Sequence, residues 1–212
     1  MRLITGLSLI ALFAFFCSCD AKRVFDADDR YREDLNKFSA DLVNFFPDTL
    51  SSVFLTQQSV DITNECIYFI NYDFDKGDES LLQNIIEKAK YKYNSLDSNL
   101  FAIKRNKVYQ QRSIFEEKGK DLLLEKGYFP VPFFEMKDLS LFDLKSEDIY
   151  SRESVCGLSD GFSIYIIDTE PGMYWEGLSP LKRMPKGWQN GYSRGICINQ
   201  ERKITIYWII IW

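Results

Sequence analysis

KITIYWIIIW, Lys203–Trp212, carries two apolar sets in alternation. In an extended chain successive side chains point to opposite faces. Ile204, Ile206, Trp208, Ile210 and Trp212 therefore share one side, and Tyr207, Ile209 and Ile211 the other. A strand apolar on both faces needs cover on both, which predicts a central place in its sheet. Arg194–Asn199 (RGICIN), with a polar turn at Gln200–Arg202, completes a β-hairpin with it. Phe162–Asp168 (FSIYIID) and Glu65–Tyr72 (ECIYFINY) read as further strands, and Leu100–Ile103 as a short one. Tyr128–Phe134 (YFPVPFF) cannot be a central strand, because Pro130 and Pro132 donate no ladder hydrogen bond. It is expected to lie extended across the core on its aromatics.

Two helices accompany these strands. Tyr31, Leu35, Phe38, Leu42 and Phe45 recur at helical spacing and predict one helix over Val24–Phe46, stopped by Pro47. Leu82, Ile85, Ile86, Ala89 and Tyr93 predict a second, running to about Asn94, after a turn at Gly77 with Asp78 as cap. Lys118–Lys126 reads as a short helix, whereas Asp48–Asn64, Lys104–Arg112 and Asp138–Ser151 read as polar connections. These elements predict an α+β fold: a single domain with an antiparallel or mixed sheet, the C-terminal β-hairpin at its centre and amphipathic helices packed on it.

The N-terminus has a separate logic. Met1-Arg2 is positive, Leu3–Phe16 is apolar except for Thr5, Gly6 and Ser8, and the small residues Cys17 and Ser18 follow. This is the order of a secretory signal, and the run is shorter than the roughly 20 residues a membrane span needs. Phe16-Cys17-Ser18-Cys19 resembles the lipobox of bacterial lipoproteins, with Phe16 where a leucine is usual. The resemblance implies cleavage before Cys19, a diacylglyceryl thioether on its sulfur and acylation of its amine. Several acyl chains anchor a protein stably, where one holds it only marginally. The expected organisation is a signal peptide at 1–18, a lipidated acidic tether at 19–28 and a globular domain at 29–212. The expected place is the cell envelope, with the membrane as a partner through the lipid.

Composition narrows what the body can do. It is 46% hydrophobic and 27% charged, as globular domains are, and 16% aromatic, which favours a large core. Loss of a leader whose only charge is Arg2 takes the net charge from −5 to −6, which argues against nucleic acid as a partner. The chain has no histidine. That excludes Ser-His-Asp and Cys-His nucleophiles and histidine-ligated metals. No CxxC, GxxxxGK[ST] or GxGxxG occurs, so no metal or cofactor is implied. DFDKGDES (73–80) lacks the spacing of a calcium loop and reads as a capped turn. Cys66, Cys156 and Cys197 remain after processing; Cys156 and Cys197 are the expected pair if a disulfide forms, and otherwise all three are small buried hydrophobes.

The most site-like stretch is the Gly- and Pro-rich loop Met173–Arg194. Tyr174, Trp175, Trp188 and Tyr192 could stack on a sugar or grip a peptide, and Lys182, Arg183, Lys186 and Arg194 add a basic patch. The same rings could equally plug the open end of the sheet. Asp168, Glu170 and Glu176 are the only carboxylates placed for acid–base work, or they are solvated loop residues. No residue is assigned as catalytic. The leading expectation is a non-enzymatic envelope lipoprotein binding a protein or glycan through residues 173–194. An immunity-type inhibitor of a toxin acting in the periplasm, and a carboxylate-only glycan hydrolase, are the alternatives.

Overall fold

The structure is a computed structural model and describes residues 27–50, 56–74, 79–104, 107–109, 129–134, 154–182 and 184–212. The strands are β1 (Thr56–Ile62), β2 (Ile67–Asp73), β3 (Tyr91–Asn94), β4 (Leu100–Lys104), β5 (Lys107–Tyr109), β6 (Phe129–Pro132), β7 (Ser163–Pro171), β8 (Gly191–Asn199) and β9 (Ile204–Ile211). The helices are α1 (27–35), α2 (Ala40–Val43) and α3 (Glu79–Lys88). A six-stranded sheet runs β1-β2-β9-β8-β7-β3, antiparallel throughout. A second sheet runs β5-β4-β6, with β4 and β6 parallel.

The C-terminal hairpin is central, as its two-sided apolar pattern requires. Every residue of β9 is buried. Ile204, Ile206, Trp208, Ile210 and Trp212 join a core with Phe101, Ile103 and Val131 of the second sheet. Tyr207, Ile209 and Ile211 join a core on the opposite face with Tyr31, Phe38, Phe46 and the α3 residues Leu82 and Ile85. The body is thus three layers: helices, main sheet, small sheet. A fully buried Ile side chain contributes about 1.5–3 kcal/mol, so β9 alone supplies a large share of the hydrophobic stabilisation.

Several elements differ from the sequence expectation, each for a local reason. The Val24–Phe46 helix is two pieces. Phe38 N–H donates to the Leu35 carbonyl at 3.0 Å, and Ser39 turns extended at φ −59°, ψ 135°. Asn36 and Ser39 are weak helix residues, and the break lets Phe38 and Phe46 both reach Phe69 on the sheet. Residues 27 and 28 belong to α1, within the expected Val24–Phe46 helical span, and Asp28 Oδ1 accepts the Leu50 N–H at 3.1 Å. The second helix ends at Lys88 rather than Asn94, because the chain leaves it to satisfy the edge of β7. Lys90 N–H bonds to the Ile166 carbonyl at 2.9 Å, and β3 follows in register with β7.

β1 and β5 occupy stretches expected to be polar connections. β1 is an edge strand whose sequence shows no clear two-residue period, so no pattern announced it. β6 does what its prolines dictate and takes an edge of the small sheet. β7 and β8 each extend beyond expectation, pairing as far as Pro171 with Gly191, which shortens the loop between them to residues 172–190. The expected helix at Lys118–Lys126, the connection at Asp138–Ser151, the turn at Gly77 and the leader with Cys19 lie outside the described residues. Cys66, Cys156 and Cys197 are buried free thiols; no bridge joins Cys156 to Cys197.

Candidate functional site

The site begins with a bulge. Strict alternation along β7 would put Asp168 on the face of Ile164 and Ile166. The β7–β8 register slips between Ile166 and Asp168, so Ile167 is the extra residue and the facing pattern reverses beyond it. Gly195 permits this: a Cβ there would stand 2.0 Å from the Tyr165 carbonyl oxygen and 2.9 Å from Trp208. Asp168 and Glu170 are thereby turned to the helix face, beside Tyr192.

There a chain of polar contacts forms. Lys90 Nζ donates to Asp168 Oδ1 at 2.5 Å, Thr169 N–H donates to the same oxygen at 3.0 Å, and Tyr192 Oη donates to Oδ2 at 2.6 Å. Tyr174 Oη donates to Glu170 Oε2 at 3.1 Å, and its ring stands edge-on to Tyr192 at 4.5 Å. Burial alone would raise the Asp168 carboxyl. The hydrogen bonds from Lys90 and Tyr192, the Lys90 charge and the Thr169 N–H outweigh it and hold the group below the usual carboxylate value. The Asp168 hydrogen bond in turn raises Lys90. Burial first, and then the Asp168 contact, pushes the Tyr192 phenol well up. Asp168 is an anion at neutral pH, held by donors, which suits a strut better than a proton donor.

The long loop folds across one end of both cores. Gly172, at φ +143°, opens it, and its N–H bonds to the Asn190 carbonyl at 3.0 Å. Ser179 N–H reaches the Asn64 carbonyl at 2.6 Å in the β1–β2 turn, and Leu181 N–H returns to Gln189 at 2.8 Å. Trp175 packs on Phe38 (5.6 Å) and Leu178 enters the helix-side core, while Leu181 and Met184 enter the other. Trp188 stacks on Trp212 at 6.5 Å, and Trp212 Nε1 donates to the Trp188 carbonyl at 2.8 Å. The loop is a clasp closing the sandwich.

The structure therefore separates the residues that the sequence grouped as a ligand site. Tyr192 is a core residue. Trp175 and Trp188 are half-buried struts. Arg194 donates to the Asp41 carbonyl and to Asn44 Oδ1 (3.3 Å) and lies over Phe45 at 5.8 Å, where it caps the end of α2. Lys182, Lys186 and Glu176 are exposed, and Arg183 lies outside the described residues. What faces solvent at the tip is Met173, 61% exposed, and Tyr174, 38% exposed. Sequence reasoning missed Lys90, whose role depends on a chain reversal with no local signature. It also missed a cleft of about 570 Å³ between α3 and the β8–β9 turn, lined by Leu82, Ile86, Ile198 and Ile204 with Glu79 and Lys203 at its rim.

Comparison with known protein families, curated proteins and solved structures found no match. Among the described residues no helix is long and apolar enough to cross a membrane, and no three His, Cys, Asp or Glu side chains gather to hold a metal ion.

Proposed function

We propose that this chain is a lipid-tethered envelope protein, non-enzymatic, that presents the Met173–Tyr174 tip of its clasp loop to a protein or glycan partner. The observation that carries the reading is the contrast within one loop. Its tryptophans turn inward, whereas Met173 and Tyr174 stay in water on a segment fixed at both ends by hydrogen bonds. Large side chains held out on a rigid frame lose little entropy on binding, and Tyr is among the residues that dominate interface energies. The Tyr174 ring is pre-positioned by Glu170 and Tyr192. Support for the tether comes from the order of residues 1–19: positive start, apolar run, small residues, cysteine. Carboxylate catalysis is not what the contacts favour, since both Asp168 oxygens already accept donors.

The test is a photo-crosslinking residue at position 173 of the full chain, in its own envelope, beside a control at exposed Gln83. A discrete adduct from position 173 and none from position 83 is expected. Equal or absent labelling at 173 removes the tip as a binding element.

A further inference from the structure

The two edges of the main sheet are built differently. β3 has four residues, includes Lys92, and is tied to the small sheet by Tyr91 stacked on Phe129 at 3.8 Å. Short length, a lysine and a covering layer are the usual defences of an edge. Among the described residues β1 has none of them. It runs seven residues, TQQSVDI, pairs with β2 at every position without a bulge, and contains no Lys, Arg, Pro or Gly. Among the described residues nothing pairs with its outer side. At its end Ile62 is 54% exposed. An edge strand uses half of its backbone donors and acceptors inwardly and turns the rest outward, ready for another strand.

From this edge we infer that β1 pairs with β1 of a second copy of the chain, antiparallel about a two-fold axis at Ser59. The strand is its own complement in that register. Ser59 meets Ser59, Gln58 meets Val60, Gln57 meets Asp61 and Thr56 meets Ile62. The one charge therefore faces a neutral residue and never itself, as like charges directly opposite would be unfavourable. A two-fold axis is the closed solution for identical edges: it uses both at once and leaves neither free for further growth. The result is a continuous sheet across two copies, with β3 at each outer end. This pairing is independent of the clasp loop and its tip.

Cysteine crosslinking of the full chain in its membrane tests the register. Facing Cα atoms of an antiparallel pair lie about 4.5–5.5 Å apart, within disulfide reach. Ser59→Cys should give a disulfide dimer on mild oxidation, well above the parent chain, whose Cys66, Cys156 and Cys197 are buried. Gln57→Cys alone should not, because its copies are offset by four residues, roughly 13 Å. Mixing Gln57→Cys with a differently tagged Asp61→Cys should restore the crosslink, and that arm carries the test if Ser59→Cys accumulates poorly. No dimer from either productive arm overturns the inference. So do equal yields at positions 57 and 59, which mark random collision, and a crosslink only to some other protein.

Discussion

Substituting Gly195 with alanine strikes the bulge on which the candidate site depends. The new Cβ would sit 2.0 Å from the Tyr165 carbonyl oxygen and 2.9 Å from Trp208 Cζ2. Ordinary carbon contacts to either atom begin above 3 Å, so the β7–β8 ladder must open by about an ångström to clear the Tyr165 oxygen and Trp208 must shift as well. Trp208 is wholly buried and cannot yield cheaply. Overpacking of this kind costs about 3 kcal/mol, the upper part of its usual range. For a chain of this size that is a fall in Tm of roughly 6–12 °C. Gly177→Ala is the matched control: its φ is +85°, but nothing lies within 4 Å of the added carbon, so only backbone strain of about 1 kcal/mol applies. Urea unfolding followed by tryptophan fluorescence compares the two. If Gly195→Ala loses no more than Gly177→Ala, the bulge is misplaced, and Asp168 does not face Tyr192.

Other expectations follow from the same geometry. Arg194→Ala uncaps α2 and should cost about 1–2 kcal/mol in denaturant while leaving crosslinking from position 173 unchanged; loss of crosslinking at unchanged stability would make Arg194 a ligand residue after all. Asp168→Asn removes the Lys90 strut, worth about 1 kcal/mol because Lys90 is half exposed. Since the folded carboxyl is held below its ordinary 3.8, that contribution is present above 3.8 and lost as pH falls through the lowered value. The stability gap between parent and variant should thus hold from pH 6 to about 4 and narrow as the pH falls below 3.8, and a constant gap through that fall would refute the pairing. Trp188→Ala should lower stability by roughly 2 kcal/mol through its stack on Trp212, read by thermal melting; a variant as stable as the parent would return Trp188 to the surface.

Much of the fold was legible because its signals are local. The two apolar sets of Lys203–Trp212 fixed both the centre of the sheet and the existence of cover on either side. The prolines of Tyr128–Phe134 ruled out a central strand, and β6 lies at an edge of the small sheet. What escaped the sequence is non-local. β1 has too few apolar residues to show a period. The end of α3 is decided by the unpaired edge of β7, which no residue near Lys88 reports. The bulge at Ile167 is visible only once β8 lies alongside, and without it Asp168 cannot be assigned to a face. The rings of the Met173–Arg194 loop have one composition and two fates, and only the tertiary path distinguishes Trp175 against Phe38 from Tyr174 in water.

The proposed lipid tether stands or falls on the chemistry of Cys19. Peptide mass spectrometry of the protein isolated from its native cells should find an N-terminus at Cys19 carrying a diacylglyceryl thioether and an acylated amine, as the proposed tether requires. A Cys19 with a free thiol, or a peptide continuous with Phe16 and Ser18, would contradict the proposed tether.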